Sequence, residues 1–273
     1  MGGGTPARVA AAVRRHVDTI DVAGVAFRIS CRYPKPGFWA RSRPEFLTTR
    51  PPDVVVAITY DEGLRRRARR PAGEDTVADA PYVRRRGRGL LVTTGYYRAT
   101  VDIRSGRVAV RMAAGFGVAG LIRTLAALWL LDRGTVLLRA VRLGRDGATL
   151  ACGVPEAARS LARGAAVAGY LAVTPRPDGV AARLTPFLEG EKPPRARPEA
   201  RVRTLWVPGA DAGPTRPAGV ARAVAVLLPA IWQADRRRGA VVRTLDLATR
   251  IVTALRRDEV GARTSRREGV AVG

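Results

Sequence analysis

The segment GVPEAARS, residues 153–160, has the length of a phosphate-binding loop, G-x-x-x-x-G-K-[ST]. In such a loop, glycines let backbone N–H groups surround the phosphates, a lysine reaches the β- and γ-phosphates, and a hydroxyl binds Mg²⁺. Gly153 supplies the first glycine and Ser160 the hydroxyl, but Arg159 replaces the lysine and Ala158 the second glycine. Two defining residues of the pattern are therefore absent.

The same residues are also typical of an ordinary helix start. Pro155 and Glu156 suit a first helical turn, because proline fixes φ and an acid complements the helix dipole. A carboxylate at Glu156 would also repel bound phosphates. The residues thus favour a structural helix start over a nucleotide site, and they leave weak binding of phosphate or sulfate open.

Other catalytic chemistry has little support in the sequence. The single histidine, His16, has no serine or carboxylate companion nearby that would make it a general base. Cys31 and Cys152 are far apart, so we expect neither a zinc site nor a disulfide framework and predict both as core residues. Glu189 and Glu191 fall in a proline-bounded loop, where we expect solvated side chains.

The charge points to acidic partners. The chain has 48 basic and 23 acidic residues, a net charge of +25, and only Lys35 and Lys192 are lysines. Such a field attracts acidic proteins and nucleic acids. Arginines cluster at 65–70, 84–88 and 236–238, where we favour solvated loop charge over a nucleic-acid groove.

Aromatic residues beside arginines provide a second reason to consider nucleic acid. Bases could stack on Phe38 and Trp39, or on Tyr96 and Tyr97 next to Arg98. Aromatic residues beside strands are more often core residues, and we predict that here.

The apolar segments do not predict a membrane span. Residues 115–131 and 218–232 are short and are interrupted by Arg123, Arg222 and Pro229. No signal-peptide pattern opens the chain, so we predict a cytoplasmic protein.

Periodicity predicts a mixture of strands and helices. Strands are predicted around Gly24, at 53–60, in a hairpin at 98–112, in a second hairpin at 135–152, around 175–179 and at 203–208. Helices are predicted at 7–16, at 117–132, at 218–238 as two helices that meet near Pro229, and at 241–257. Residues 61–88 lack periodicity and are predicted as a long loop. The order of elements predicts an α/β fold, with a mixed α+β sheet and helices at the C-terminal end.

Part of this pattern resembles a known family. LLRAVRLGRDGATLACGVPEAARSLARG at 137–164, followed by GYLAVTPRPDG and TPFLEGEKP, resembles the nucleotide-binding core of the HPr kinase/phosphorylase family. That family shares a P-loop kinase fold with ATP-dependent phosphoenolpyruvate carboxykinase. The likeness in arrangement extends over about half the chain and is sharp only over residues 135–190. It implies a strand-rich cap with an arginine-rich loop at 1–83, a kinase-like core at 84–210, C-terminal helices at 211–260 and a disordered tail at 261–273.

The family's functional residues transfer only in part. Gly153 matches a loop glycine, Arg159 takes the lysine position and Ser160 the magnesium-binding position. These three are the candidates for phosphate binding that the resemblance implies. Glu156 and Ala158 occupy two further glycine positions.

Three other positions of the family pattern also differ. Arg139 stands where the family has a histidine, and Ala172 and Val173 stand near its acidic pair. The nearest carboxylate, Asp178, lies in a PDG turn that we predict to be structural. Arg139, Glu156 and Asp178 therefore flank the candidate loop without supplying the expected chemistry, and no metal-binding or catalytic residue is identified.

The resemblance implies a pseudokinase, an HPr serine kinase-like protein with an eroded nucleotide site. We expect a noncatalytic or impaired binding or scaffold subunit that needs no cofactor and binds an acidic protein or peptide, in a family associated with peptide-modification systems. One alternative is an active ATP-dependent serine kinase, with Arg159 on the phosphates and Ser160 on Mg²⁺. Another is a basic protein that binds nucleic acid non-specifically through residues 65–88 and the C-terminal arginines.

Overall fold

The computed structural model describes residues 15–32, 43–67, 81–113, 117–143, 148–152, 166–188, 198–206 and 220–268. The strands are β1 (Arg15–Val22), β2 (Val25–Arg32), β3 (Val54–Tyr60), β4 (Tyr82–Arg86), β5 (Gly89–Thr93), β6 (Tyr97–Asp102), β7 (Arg107–Met112), β8 (Val136–Leu143), β9 (Ala148–Cys152), β10 (Ala166–Arg176), β11 (Gly179–Arg183) and β12 (Glu199–Trp206). The α-helices are α1 (Glu62–Arg67), α2 (Val118–Asp132), α3 (Val220–Ala230) and α4 (Arg238–Glu268). The chain therefore mixes α and β structure, as the sequence predicts.

The first seven strands form one sheet in the order β1-β2-β3-β7-β6-β5-β4. The β2/β3 and β3/β7 pairs are parallel, and the other pairs are antiparallel. Side chains alternate strictly between buried and exposed along β6 and β7, so one face of these two strands is packed and the other is open, whereas Leu90, Leu91 and Val92 of β5 are all buried. The sheet combines strands from both sides of the predicted boundary at residues 83 and 84.

Two tight turns set the register of this sheet. Val22 pairs with Val25, and the two residues between them, Ala23 and Gly24, both have positive φ, as a two-residue hairpin requires. The β6/β7 turn ends at Gly106, which has a φ of 66°. A Cβ atom on Gly106 would overlap the backbone oxygen of Asp53, so the turn packs directly against the residue before β3.

Helix α2 covers the packed face of the sheet. Ten of its side chains are buried, which gives it an apolar surface on nearly all sides. The Phe27 ring on β2 meets the Trp129 ring edge to face, with centroids 6.2 Å apart. The same core includes Leu137 of β8 and Tyr170 of β10, so α2 lies between the two sheets.

An ion-pair network joins the end of α2 to the first sheet. The Asp53 carboxylate accepts hydrogen bonds from Arg133 at 3.1 Å, Arg50 at 2.9 Å and the backbone N–H of Ala26 at 2.8 Å. Partial burial raises the pKa of Asp53, but these donors outweigh it, and the pKa is lowered overall. The network holds the residue before β3 against the helix terminus.

The remaining strands form a closed sheet in the order β10-β11-β12-β9-β8. Only the β9/β12 pair is parallel. One face of these strands packs with α3 and α4 in a second core, which includes Leu138, Leu171, Leu227 and Ile251. Arg123 of α2 contacts two aromatic rings of the first core, because its guanidinium lies 4.5 Å from the Tyr170 ring centroid and 4.3 Å from that of Trp232.

Most predicted elements are confirmed within the described residues. The strand pairs around Gly24 and at 98–112 and 135–152, the strand at 53–60, the strands around 175–179 and the helix at 117–132 are all present. The strand predicted at 203–208 begins earlier, at Glu199.

Three local predictions are wrong. Residues 61–88 contain α1 and the edge strand β4, because hydrogen bonds to β5 order a segment that has no apolar periodicity. Residues 218–238 contain a single α-helix, since Pro229 lies in the last turn of α3 and the chain then leaves the helix. Arg15 and His16 belong to β1 rather than to a helix over 7–16, whose other residues lie outside the described ranges.

The C-terminal helix is longer than the sequence predicts. Helix α4 continues to Glu268, within the range predicted as a disordered tail. Among the described residues, no helix combines the length and the hydropathy needed to cross a bilayer.

We predict that Gly106→Ala destabilises the protein more than Gly87→Ala. Both glycines have positive φ, at 66° and 56°, so both substitutions strain the backbone. Only at Gly106 does the added Cβ meet backbone, at Asp53, while Gly87 has no atom within 4 Å of that position. Urea unfolding should show a free energy of unfolding about 1–3 kcal/mol lower for Gly106→Ala than for Gly87→Ala. Equal losses would contradict the close approach.

Candidate functional site

Most of the predicted phosphate-binding residues lie outside the described ranges. Gly153, Glu156, Arg159 and Ser160 all fall between β9 and β10, a segment that the structure does not describe. Strand β9 ends at Cys152, directly before them, beside the parallel strand β12. Their candidacy for phosphate binding therefore stays a prediction.

The two flanking residues that are described do not come together. Arg139 is half-buried on β8, opposite Tyr170 of β10. Asp178 is exposed in the β10/β11 turn, eight residues beyond Tyr170 along the chain. The six steps along the strand from Tyr170 to Arg176 alone extend for about 20 Å, so Arg139 and Asp178 cannot act on one group.

The acidic pair of the family has no counterpart on β10. Ala172 and Val173, the residues at those positions, are both fully buried. Ala172 packs in the first core, which surrounds α2, and Val173 packs in the second core, which includes α3 and α4. This part of β10 therefore offers no carboxylate for metal binding or for activating a hydroxyl.

The cysteines are core residues, as predicted. Cys31 and Cys152 are buried free thiols. Burial raises the pKa of Cys152 to about 12, and burial together with the charge of Asp18 raises that of Cys31, so neither is a reactive thiolate at neutral pH. Among the described residues, no three histidine, cysteine or acidic side chains cluster as a metal site would require.

The open face of the seven-stranded sheet carries the most distinctive group of charges. Cross-strand pairing aligns its central row of residues from β1 to β4 as Val17, Ser30, Ala57, Ala109, Thr100, Leu91 and Arg84. All but Leu91 and the terminal arginine are small or β-branched, so this row forms a low floor. Ala57, Thr100 and Ala109 are exposed along it.

Arginines stand on both sides of this floor. On one side, Arg28 and Arg107 flank Val55 in a row that also contains Asp102. On the other side, Arg98 and Arg111 lie directly opposite each other on β6 and β7. We call the floor and these two rows the arginine trough.

Few acids neutralise the trough. Arg111 is paired with Asp61 at 2.7 Å, although its side chain remains 73% exposed. The Asp102 carboxylate accepts hydrogen bonds from the hydroxyl and backbone of Ser105 in its own turn, which lowers its pKa. Within the part of the chain that the structure describes, no carboxylate lies within ion-pair distance of Arg28, Arg84, Arg98 or Arg107. Several cations of the trough are therefore available to an external anion.

The aromatic residues considered for base stacking do not line the trough. Tyr97 is buried in the first core, and its ring meets that of Tyr96 edge to face at a centroid distance of 5.2 Å. Phe38 and Trp39 lie outside the described residues. Among the aromatic side chains described, Tyr82, at the β4 edge, is 66% exposed on this face.

The sequence did not predict that the residues of the trough lie together. Its signal was present in YRATVD and RVAVRM, where arginine occupies the positions that alternate with buried residues. The sequence could place these arginines on one face, but it could not show that β3 and its small side chains lie beside them.

Comparison with known proteins adds no relative. The chain matches no protein-family model and no curated protein sequence.

We predict that Arg98→Thr stabilises the isolated protein. Arg98 and Arg111 are directly opposed like charges, and threonine suits an exposed strand position. The free energy of unfolding in urea should rise by about 0.2–1 kcal/mol at low salt and by less at high salt. Arg107→Thr is the matched control, because Arg107 faces Asp102, and it should bring no such gain. A salt-independent gain in both variants would contradict the charge argument.

Proposed function

We propose that this protein is a noncatalytic subunit, resembling HPr serine kinases, that binds an acidic segment of a partner protein in the arginine trough. The observation that carries the proposal is the exposure of Arg28, Arg98, Arg107 and Arg111 around a floor of small side chains. Charge of one sign on an otherwise flat surface favours a partner of the opposite sign.

The dimensions of the trough suit a polypeptide. The two arginine rows lie four residues apart along each strand, about 13 Å, which accommodates a helix of about 10–12 Å diameter or an extended chain. The exposed part of the floor, Ala57, Ala109 and Thr100, lies on three neighbouring strands and spans about 10 Å across them. An acidic segment lying across the strands could therefore meet both rows at once.

The side chains of the trough favour an acidic protein over single-stranded nucleic acid. Proteins that bind single strands combine cations with aromatic platforms on which the bases stack. The described floor has no aromatic side chain, and Tyr82 lies only at its β4 end. Non-specific attraction of nucleic acid by the +25 charge is the competing expectation.

The noncatalytic part of the proposal rests on the core that resembles the kinase family. In this proposal residues 84–210, which include the closed sheet, correspond to the P-loop kinase core, and the protein acts in the cytoplasm. Ala172 and Val173 provide buried hydrocarbon where catalysis requires carboxylates, and the loop sequence lacks two glycines and the lysine. Such a chain can keep the shape of a kinase without the groups that activate an acceptor hydroxyl.

We predict that ATP shows no magnesium-dependent binding in calorimetry at about physiological salt. The double variant Arg159→Ala, Ser160→Ala is the control and should behave as the wild type. Weak binding of similar strength for ATP, pyrophosphate and sulfate would indicate a phosphate site without nucleotide specificity. Magnesium-dependent, ATP-specific binding that the double variant loses would revive the active serine kinase and contradict the noncatalytic assignment.

We predict that the triple variant Arg28→Gln, Arg98→Gln, Arg107→Gln loses most affinity for an acidic polypeptide. The probe is fluorescently labelled poly-L-glutamate, measured by anisotropy. If each exposed arginine contributes about 0.5 kcal/mol to the binding free energy, removing three of them lowers the affinity by about tenfold.

The control for this experiment removes the same charge elsewhere. Arg203→Gln, Arg236→Gln, Arg238→Gln changes three exposed arginines that lie outside the trough and should leave affinity within about twofold. Equal losses in both triple variants would mean that net charge alone attracts the probe. Tighter binding of an oligonucleotide than of poly-L-glutamate, lost in the trough variant, would favour the nucleic-acid alternative.

A further inference from the structure

Arg142 is a charged side chain enclosed in an apolar core. It lies on β8 and is only 1% exposed. Alternation places it on the same face of the strand as Val136, Leu138 and Ala140, which belong to the second core. Its position therefore differs from that of Arg139, whose odd-numbered position lies on the opposite face of the strand.

The residues directly opposite Arg142 are hydrocarbon. They are Leu150 on β9 and Val167 on β10, and both belong to the second core. Cys152, two residues beyond Leu150, carries a thiol that burial keeps protonated, so it offers no negative charge. The strands beside Arg142 thus supply no counter-ion.

The Arg142 guanidinium has no partner among the described residues. None of its three nitrogens has a hydrogen-bond acceptor. Glu199, the acid on the described strands of the closed sheet, is paired with Arg176 at 2.7 Å and Arg183 at 3.0 Å. Cross-strand pairing places Glu199 level with Arg183 and Ala172, five residues or about 17 Å along β10 from Val167.

An uncompensated buried arginine is an unusual feature of a folded protein. Burial lowers the pKa of Arg142, but arginine keeps its proton in proteins, so the charge itself must be neutralised or tolerated. A guanidinium presents parallel N–H groups at a spacing that matches two oxygens of one anion. A bound anion with two such oxygens would satisfy both the charge and the unused donors.

We infer that Arg142 binds a compact oxyanion, a phosphate or carboxylate group, within the closed sheet. The guanidinium donates paired hydrogen bonds to two oxygens of the anion, and the surrounding hydrocarbon excludes water. The inference does not depend on the proposed function, because the arginine trough lies on the other sheet. It also does not depend on residues 153–160.

The first experiment measures thermal unfolding of the full chain with and without anions. Wild type and Arg142→Met are refolded in sodium chloride, phosphate, pyrophosphate or acetate at equal ionic strength, since an enclosed site fills most readily during folding. Phosphate, pyrophosphate or acetate should raise the Tm of the wild type by about 5 °C at a hundredfold excess over Kd. Arg142→Met should show no such rise, and in chloride it should be at least as stable as the wild type.

The anions distinguish the two sources of oxygen ligands. A rise with phosphate and pyrophosphate alone assigns the site to a phosphate group, and a rise with acetate assigns it to a carboxylate. Equal stabilisation of wild type and Arg142→Met overturns the inference. So does a wild type that no oxyanion stabilises beyond chloride.

A second measurement covers the case in which Arg142→Met fails to fold. Wild type and Arg142→Lys, which keeps the charge but loses the paired donors, are refolded in phosphate and desalted, and again in radiolabelled acetate. Anion released on denaturation is then counted. The wild type should retain about one equivalent of one of these anions, and Arg142→Lys should retain several-fold less. Equal retention, or none in the wild type, contradicts the inference.

Discussion

Helix α2 is the element on which the rest of the structure depends. The inner face of the seven-stranded sheet and the outer side of β8 both expose hydrocarbon that must leave water, and α2 lies between them. An amphipathic helix could cover only one of the two surfaces. Because the buried side chains of α2 are distributed around its circumference, as Leu121, Ala126 and Ala127 illustrate, α2 joins both sheets through one core.

Polar contacts confine α2 at its C-terminal end. Asp132 pairs with Arg243 of α4 at 2.6 Å, and Arg133 reaches Asp53 of the first sheet. Nearer the N-terminal end of α2, Arg123 places its charge over the Tyr170 and Trp232 rings. The helix is therefore positioned by a large apolar surface and oriented by a few charged contacts.

Packing on one face of the first sheet leaves the other face free to carry charge. Every second residue of β6 and β7 is buried in the core, and the residues between them are exposed and do not pack against it. Arg98 and Arg111 form a like-charge pair at those positions, and the ion pair of Arg111 with Asp61 offsets part of their repulsion. The open face can thus serve recognition while the inner face maintains stability.

The two arginines of β8 show how alternation separates roles in the closed sheet. Arg139 and Arg142 differ by an odd number of residues, so their side chains leave opposite faces of the strand. Arg142 enters the second core without a described acceptor. Arg139, the position compared with the family's histidine, is therefore not the position where the structure buries an arginine in the second core.

The sequence by itself determined the local features of this protein. Alternation located most strands, the Gly24 turn and the RSG turn had the residues that hairpins require, and the spacing of apolar residues located α2. These features depend on neighbours within a few residues. The departures of residues 153–160 from a phosphate-binding loop were likewise visible without a structure.

Only the tertiary structure decided which strands lie side by side. The parallel pairing of β3 with β2 and β7 places Val55 between Arg28, 27 residues earlier, and Arg107, 52 residues later, and periodicity carries no information on such pairing. The same limit applies to β4, whose order comes from β5, and to Arg142, which looks like any other strand arginine in the sequence. Local sequence determines which face a side chain occupies, but long-range pairing determines what that face meets.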